Sequence, residues 1–576
     1  MDSGKLSWSL IGTIFRLCSQ CQNGSLLDWI SILGITTFVI LYVMFGYLML
    51  LVPGEIYQAL INDDTSAFRR AMTKLFFTTL ATVIARSMIG FSRDVAANRW
   101  RNCLTLYLHK EYLRSGDVPP CYQVCRDGRV DNPDQRIVDD ARTFPFTLAG
   151  IIAGGYGSSG TDGIGDLGGG ILEAVITLSW YSFQTYKRTG WVSVLFAYGW
   201  TAVVAFVGYF LVNRTSSLVV VQEALEATFR SSHVEVKHRC EDMAFNGPGG
   251  FEKDYLNSCV TSAVQNMYRV IAWRTSLNSV DNFFMYFLSF VMYSALGVAV
   301  FSGAGEENGF YSDPSEKAKW IAQTGGIFIS LLTSLTIVIN LNSPASNLAA
   351  QAWRIGKFLD SVTSVDDNPV TRTDGLNYRS SSTDIRLVPK SSLLIAGPNA
   401  SGKTTLLRRI RALWPAHGVL ERPPIVGSCD PYADSHSSSI MFLTGQPYLP
   451  FSRPLLEQVA YPDTASTTKA EDETEIILGR VGLEYLLDRF KLQDEVDWYR
   501  ILSAGEQQRL ALARVLYHQP TFAVLDEATS CLDEESEVTL VKAMQAQGIG
   551  VVMVSFRKKV RGLFGEVINL RREGHG

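Results

Sequence analysis

The first 345 residues contain four long apolar runs that carry no charged side chain. They are Trp29–Val52, Trp191–Val212, Phe283–Phe301 and Ile321–Leu341. Each run is about as long as a helix that crosses the hydrocarbon core of a bilayer. A buried core helix is the alternative for any one run, but four runs of this length favour a membrane domain.

Two further apolar runs each contain one internal charge. Arg86 interrupts Lys74–Phe91, and Glu173 lies within Leu167–Tyr186. Because a charge facing lipid is costly, we expect Arg86 to face the protein interior or a polar cavity. Counting both runs gives six spans, and we interpret the glycine-rich segment Gly150–Gly170 as a loop inserted ahead of the third.

The distribution of Lys and Arg predicts the orientation of these spans. The segments Arg93–Arg142 and Arg214–Arg274 are rich in Arg and Lys, whereas the loops on the opposite side are short and carry few such residues. Positive loops stay in the cytosol. Both segments are therefore predicted on the cytosolic side, together with the C-terminal part of the chain.

After residue 345 the pattern changes to short apolar strands followed by polar motifs. Leu393–Ala396 suits a buried parallel strand and leads into Gly397-Pro398-Asn399-Ala400-Ser401-Gly402-Lys403-Thr404, which fits the phosphate-loop pattern. Such a loop turns backbone N–H groups and a helix N-terminus toward an anion. Lys403 would reach the β- and γ-phosphates of a nucleotide, and the Thr404 hydroxyl would bind Mg²⁺.

A second buried strand, Phe522–Leu525, ends in Asp526 and Glu527. Asp526 can hold Mg²⁺ and Glu527 can polarise an attacking water. Two acids that cap the next helix are the alternative. That alternative does not explain the octet just upstream, Leu502-Ser503-Ala504-Gly505-Glu506-Gln507-Gln508-Arg509.

This octet resembles the signature of ABC ATPases, in which a Ser and a Gly bind the γ-phosphate held by the opposite subunit. Gln446 and Asp533 match the Q-loop and D-loop of that family. The resemblance implies ATP and Mg²⁺ as cofactors, with Glu527, Lys403 and Gln446 catalytic and Thr404, Gln446 and Asp526 on the metal. The implied ATP-binding residues are Gly397, Pro398, Asn399, Ala400, Ser401, Gly402, Lys403, Thr404, Thr405, Gln446, Ser503, Gly505, Glu506, Asp526 and Asp533.

Two cytosolic segments indicate a subfamily. Asp131-Asn132-Pro133-Asp134-Gln135-Arg136 resembles the Asn-Pro-Asp-Gln-Arg loop of ABC subfamily D, the peroxisomal and lysosomal half-transporters. Cys240–Phe245 resembles the acidic-Ala-Phe loop that couples the membrane domain to the ATPase in that subfamily. The local interpretation, in which Pro133 starts a helix and Asn132 caps it, is compatible with the resemblance.

The chain departs from the family pattern at four places. Phe556 stands where the family has a histidine that bonds the γ-phosphate, which implies slow hydrolysis. Ala504 and Ala400 replace glycines. From Asn368 to Pro389 the sequence lacks a clear strand pattern, and Tyr378 is the single aromatic candidate for stacking on adenine.

Composition adds two constraints. A formal net charge of −4 argues against a nucleic-acid partner, because phosphate-backbone binding needs a basic surface. The nine cysteines are scattered, and we predict reduced thiols.

The predicted fold is an α-helical six-span transmembrane domain of ABC exporter type followed by an α/β P-loop ABC ATPase domain. We expect a cytosolic segment over 1–28, the membrane domain over 29–345 and the nucleotide-binding domain over 346–576. The expected function is that of an ATP-driven half-transporter in a multi-pass organelle membrane, acting as a homodimer or heterodimer on a small-molecule or lipid substrate.

Within the subfamily the resemblance favours export of cobalamin from lysosome to cytosol. Two alternatives stay open. One is import of long-chain acyl-CoA into peroxisomes, and the other is a hydrolysis-impaired, nucleotide-gated scaffold or regulator. The endoplasmic reticulum is a further possible location.

Overall fold

The protein is described by a computed structural model that covers residues 12, 24–114, 116, 118–128, 130, 132–154, 169–247, 250–302, 310–311, 313–364, 370–380, 383–414, 418–427, 438–463, 468–555 and 557–570. It divides into two compact units. The first comprises Met1–Tyr107 and Asp134–Gly356, and the second comprises Leu108–Pro133 and Lys357–Gly576. The predicted domain boundaries remain predictions.

The described residues up to 363 form eleven helices. They are α1 (Gly24–Ile61), α2 (Thr65–Tyr112), α3 (Pro120–Asp127), α4 (Pro133–Gln135), α5 (Ala141–Ala153), α6 (Ile171–Thr189), α7 (Trp191–His238), α8 (Cys240–Asn246), α9 (Gly250–Phe301), α10 (Pro314–Asn340) and α11 (Asn342–Thr363), with a π-helical turn over Arg136–Asp140.

Each of the six predicted spans is helical over most of its described residues, which confirms the helical membrane fold. By length and composition, five helical stretches among the described residues can cross a membrane: 30–61, 65–112, 191–211, 250–301 and 314–363. The predicted third span coincides with α6, which is not among the five. Its buried face includes Glu173, Thr177 and Thr185, so polar residues directed at the protein lower its apolar character. Most of the glycine-rich segment, residues 155–168, lies outside the described residues.

Helix α10 is central to the membrane unit, since it packs against α1, α6 and α9. Ile327, Phe328 and Leu331 are nearly inaccessible to solvent there. About one turn earlier on α10, Gln323 donates from Nε2 to the Leu51 carbonyl of α1 at 2.9 Å. A Cβ atom on Gly54 would lie 2.6 Å from Gln323 Cγ, so the glycine permits the close approach of the two helices.

The strands described in the second unit form two sheets. The four-stranded sheet has the order β1 (Thr371–Arg372), β5 (Val419–Arg422), β2 (Leu376–Arg379), β3 (Asp384–Leu387). The five-stranded parallel sheet has the order β6 (Ile440–Thr444), β7 (Phe522–Asp526), β8 (Gly550–Val554), β4 (Leu393–Ala396), β9 (Glu566–Asn569).

Eight helices accompany these sheets in the described part of the unit. They are α12 (Lys403–Ile410), α13 (Leu455–Ala460), α14 (Thr468–Arg480), α15 (Leu486–Arg489), α16 (Trp498–Ile501), α17 (Ala504–His518), α18 (Glu534–Ala546) and α19 (Lys558–Arg561). The helical membrane part and the α/β ATPase part confirm the predicted fold class.

Strands β1 to β3 occupy the segment in which the sequence showed no strand pattern, so that expectation is wrong. Strands β2 and β3 are only four residues long, and buried and more exposed positions alternate along each of them. The buried positions are Leu376 and Tyr378 on β2, and Ile385 and Leu387 on β3. Two periods of alternation are too few to stand out among the polar residues around them.

Helix α3 is part of the second unit through contacts with Trp414. The indole N–H of Trp414 donates to the Tyr122 hydroxyl at 3.1 Å. The guanidinium groups of Arg126 and Arg408 lie 4.7 Å and 5.4 Å from the indole ring. A segment between two membrane helices in the sequence therefore packs with the ATPase sheet.

Cys103 is disulfide-bonded, so the prediction that every cysteine is reduced is wrong at this position. The free thiols among the described residues are Cys121, Cys125, Cys240, Cys259 and Cys531.

The segment after Asn132 is held by a buried carboxylate. Asp140, 4% exposed, accepts from Arg354 Nη2 at 2.6 Å and Nε at 2.9 Å, and from Arg136 Nη1 at 2.9 Å. These contacts tie the π-helical turn to α11.

We predict that Asp140→Asn lowers the thermal unfolding midpoint of the detergent-solubilised protein by roughly 5 °C, because it leaves two guanidinium groups without their shared anion. Asp139→Asn is the matched control, since Asp139 is adjacent and more than half exposed, 4.0 Å from Arg142. Equal midpoints for both variants would contradict the assigned role of Asp140.

Candidate functional site

The parallel sheet brings the separated polar motifs to one edge. Thr444 at the end of β6 pairs with Asp526 at the end of β7. Asp526 in turn pairs with Val554 of β8, and Val554 pairs with Ile395 of β4. The loops that follow these four strands therefore begin side by side, which is where ligands bind in such sheets.

The phosphate loop has the backbone geometry that its glycines permit. Gly397 has φ 150°, and a Cβ atom there would lie 2.6 Å from the Leu570 carbonyl oxygen and 2.7 Å from Ser401 Oγ. Gly402 has φ 88° and immediately precedes α12. Ala400 adopts φ 61°, so alanine occupies a left-handed conformation that glycine takes at no steric cost. Helix α12 then buries Leu406, Leu407 and Ile410.

Lys403 bonds to the backbone of its own phosphate loop. Its ammonium group donates to the carbonyl oxygens of Gly397 at 2.9 Å and Pro398 at 2.8 Å, and the residue is 7% exposed. The positive charge is therefore held within the loop that is predicted to bind phosphate. Of the remaining loop residues, Pro398 and Asn399 are exposed, Ser401 and Thr405 are half-buried, and Ser401 Oγ is a buried atom without a hydrogen-bond partner.

Thr404 and Asp526 meet beneath this loop. The Thr404 hydroxyl donates to Asp526 Oδ1 at 3.3 Å. Burial raises the pKa of Asp526, the hydrogen bond from Thr404 opposes this effect, and the neighbouring Glu527 carboxylate adds to the increase. A hydroxyl and a carboxylate are hard oxygen donors, so these two residues fit Mg²⁺.

Glu527 and Gln446 lie on the exposed side of the same edge. Glu527 adopts φ 54°. A Cβ atom on Gly445 would lie 3.2 Å from the Glu527 carbonyl oxygen, which shows how closely the two loops approach. Gln446 is exposed, and its carbonyl accepts from the Thr444 hydroxyl at 2.8 Å.

The signature octet begins α17 with a capping box. The Glu506 carboxylate accepts from the Ser503 backbone N–H at 2.7 Å and the Ser503 hydroxyl at 2.8 Å. Ser503 is exposed, and Gly505 lies close to the Cys531 carbonyl. Ser503 and Ala504 are exposed, so the N-terminus of this helix is accessible to an anion from outside the protomer.

Tyr485 supports this arrangement and was not found by sequence reasoning. Its hydroxyl donates to Glu506 Oε1. Burial and this hydrogen bond raise the pKa of Tyr485 to about 12, so the hydroxyl remains a donor at neutral pH. Burial alone would raise the pKa of Glu506, but the bonds from Tyr485 and Ser503 lower it.

Gln508 connects the signature, the Q-loop and the D-loop. The sequence alone indicated no role for this residue. Its Nε2 donates to the Gly445 carbonyl at 2.8 Å and to Ser530 Oγ at 3.1 Å. Its Oε1 accepts from the Cys531 N–H at 2.9 Å, and the residue is 1% exposed. The signature helix is thereby bonded to the loops that carry Gln446 and Asp533.

Asp533 is the N-cap of α18, where it accepts from the Ser536 N–H at 2.9 Å, and this bonding lowers its pKa. It also lies 3.6 Å from Arg509.

Nearby, buried Glu537 accepts from Thr529 Oγ1 at 2.7 Å and Arg557 Nη1 at 2.8 Å. These bonds hold the end of β8 to the D-loop; Phe556 itself lies outside the described residues.

Tyr378 cannot stack on a nucleotide base in this arrangement. It is 1% exposed and packs in a hydrophobic cluster with Leu376, Ile385 and Leu420. The sequence-based suggestion of adenine stacking is therefore wrong, because the position alternates inward on β2.

Family models match both the membrane part and the ATPase part of the chain. The model described as "ABC transporter transmembrane region 2" matches residues 23–301, and the model described as "ABC transporter" matches residues 381–530. A Mus musculus protein named lysosomal cobalamin transporter ABCD4 is 28% identical over 569 residues, covering 91% of this chain and 88% of its own length. The Homo sapiens protein of that name is 27% identical and covers 90% and 88%.

The chain is also similar to a plant protein in sequence and to a bacterial exporter in fold. ABC transporter D family member 2, chloroplastic, from Arabidopsis thaliana is 25% identical, covering 90% of this chain and 79% of its own. The structure described as a bacterial Atm1-family ABC exporter with ATP bound superposes with a TM-score of 0.69 at 13% identity, covering 94% of each chain. That likeness establishes the shared fold.

We predict that Gln508→Leu lowers the ATPase kcat about tenfold, because three polar groups of two loops lose a buried partner. The Kd for ATP should change less than about twofold, because the phosphate loop is untouched. Gln493→Leu is the control, since Gln493 is exposed and bonds Glu471 away from this edge. If Gln508→Leu kept the parental kcat, this would contradict a role of Gln508 in ATP hydrolysis.

Proposed function

Because the chain belongs to the ABC transporters as a half-transporter with homologues in subfamily D, we propose that it moves cobalamin from lysosome to cytosol. It is a multi-pass membrane protein whose ATPase domain is coupled to transport. The observation that supports the substrate is the match to two mammalian lysosomal cobalamin transporters over both the membrane and the ATPase parts.

The geometry supports specific roles for the site residues. Lys403, fixed in the phosphate loop, would neutralise charge on the γ-phosphate. Thr404 and Asp526 would hold Mg²⁺, which would neutralise phosphate charge when bound. Glu527, on the exposed side of the sheet edge, would orient and polarise the attacking water, and Gln446 would contact the same region.

A dimer would complete each ATP site. Ser503 is exposed at the N-terminus of α17, and it belongs to the same unit as the phosphate loop. We propose that the signature of a second half-transporter, identical or different, binds the γ-phosphate of the first. ATP would then favour the closed state of the two ATPase domains and thereby shift the membrane helices between two accessible states.

Phe556 is proposed to slow hydrolysis while leaving ATP binding intact, because phenylalanine cannot donate to the γ-phosphate. Loss of one transition-state hydrogen bond costs about two to three orders of magnitude in rate. We therefore expect Phe556→His to raise kcat by at least about tenfold with an unchanged Kd for ATP. Turnover no faster than that of the parent would contradict this explanation.

The substrate is tested by ATP hydrolysis of the full chain in nanodiscs, with cobalamin, with long-chain acyl-CoA and with neither ligand. Glu527→Gln supplies the background, since it retains the binding residues and removes the carboxylate. Stimulation by cobalamin alone is the expected result. Stimulation by acyl-CoA would favour the peroxisomal importer, and hydrolysis at background in every condition would favour the scaffold or an obligate heterodimer.

A further inference from the structure

Helices α6 and α7 are joined by a tight turn that brings two aromatic residues close together. Gly190 separates the two helices with φ 79°, and its N–H donates to the Tyr186 carbonyl at 2.9 Å. The stretch 191–211, which is long and apolar enough to cross a membrane, begins at Trp191. Tyr186 and Trp191 are both more than half exposed. Exposed Tyr and Trp at the end of a span are typical of the level of the lipid headgroups.

An apolar groove lies between the two helices next to this turn. It has a volume of about 550 Å³, and its lining consists of Ser182, Phe183, Tyr186, Trp191, Val194 and Leu195. The hydroxyl groups of Ser182 and Tyr198 lie 3.1 Å apart, so the serine already has a polar partner within the protein. From Trp191 to Tyr198 helix α7 rises by about 10 Å. The groove therefore follows the helix axis over several carbon–carbon bonds and suits a hydrocarbon chain.

A lysine stands at the turn end of this groove. Lys187 follows Phe183 by four positions, so the two side chains lie on the same face of α6. Lys187 is exposed, and among the described residues no hydrogen bond or carboxylate engages its ammonium group. The adjacent Arg188 contacts α10 instead, since its Nη1 lies 3.3 Å from Gln323 Oε1. The groove thus combines an apolar length with a positive charge that no described carboxylate compensates.

We propose that this groove binds an anionic phospholipid of the surrounding bilayer, with an acyl chain between α6 and α7 and the phosphate against the Lys187 ammonium. An ammonium group binds phosphate as a point charge. A lysine at a helix end keeps its methylene groups on apolar surface while its charge reaches the headgroups. The lipid site is separate from the proposed cargo, and its occupation does not depend on which substrate is moved.

Two other occupants match the apolar part of the groove and fail to match Lys187. A zwitterionic lipid brings a cation that compensates its own phosphate, so it gains less from the lysine. The apolar surface of a second copy of this chain would remove water from the ammonium without pairing it, which is unfavourable. Charge complementarity therefore favours the anionic lipid.

The experiment first identifies the lipid held in the groove. The full chain in detergent is titrated with phosphatidylglycerol or with phosphatidylcholine of the same acyl chains, and native mass spectrometry gives the Kd of each bound lipid. Leu195→Trp places an indole over the groove and should remove one bound lipid per chain. Val192→Trp is the matched control, because Val192 is half exposed on the same helix and does not line the groove.

The headgroup preference of that lipid then tests Lys187. The parent should bind phosphatidylglycerol about fivefold more tightly than phosphatidylcholine, because one lysine near an anionic headgroup contributes about this factor. Lys187→Gln should reduce the preference to less than about twofold, and Lys187→Arg should retain it. Lys74→Gln should also retain it, since the Lys74 ammonium already lies 2.6 Å from Glu55.

Two results would overturn the proposal. One is equal lipid binding by Leu195→Trp and Val192→Trp, because no lipid would then be held in the groove. If Leu195→Trp in addition converted a dimer to a monomer, the groove would belong to a contact between two copies. The other is a parental preference for phosphatidylglycerol in Lys187→Gln, or no preference in the parent, since the groove would then take acyl chains without recognising a headgroup.

Discussion

The ATPase site depends on the register of three adjacent parallel strands. Thr444, Asp526 and Val554 pair side by side at the carboxyl ends of β6, β7 and β8. Because side chains alternate along a strand, a slip of one residue would turn Asp526 away from Thr404 and place an apolar side chain there. Both strands are five residues long, and all of their residues except Asp526 are buried, so the carboxylate lies at the point where the buried part of β7 ends.

Polar side chains connect the loops that follow the edge of the sheet. Gln508 bonds backbone groups of the Q-loop and D-loop, and Glu537 bonds Arg557 and Thr529. Gln508 and Glu537 are themselves almost fully buried, so the loss of these contacts would leave their polar groups without a partner in the interior. The loops at the site are consequently connected through two internal side chains rather than moving independently.

The sequence allowed prediction of those features whose functional residues lie close together in the chain. The phosphate loop, the signature and the strand ending in Asp526 and Glu527 each carry their residue types within about ten positions, and long apolar runs predict helices. Gln508, Tyr485 and the ion pair between Arg86 and Glu173, whose charged groups lie 2.8 Å apart, depend on residues far apart in the chain, and a single sequence does not show such pairings. Tyr378 was misassigned because its environment is decided by the pairing of β2 with β3 and β5, not by its neighbours in sequence.

The contacts of Trp414 change what counts as the ATPase domain. Tyr122 and Arg126 lie in the chain between predicted membrane spans, yet their side chains cover the indole that follows the phosphate-loop helix. A protein cut at residue 346 would retain every nucleotide motif and lose this cover, so an aromatic surface would face water. The folding unit is therefore discontinuous in sequence, and the ATPase can complete its own packing only with a piece of chain that was synthesised before most of the membrane helices.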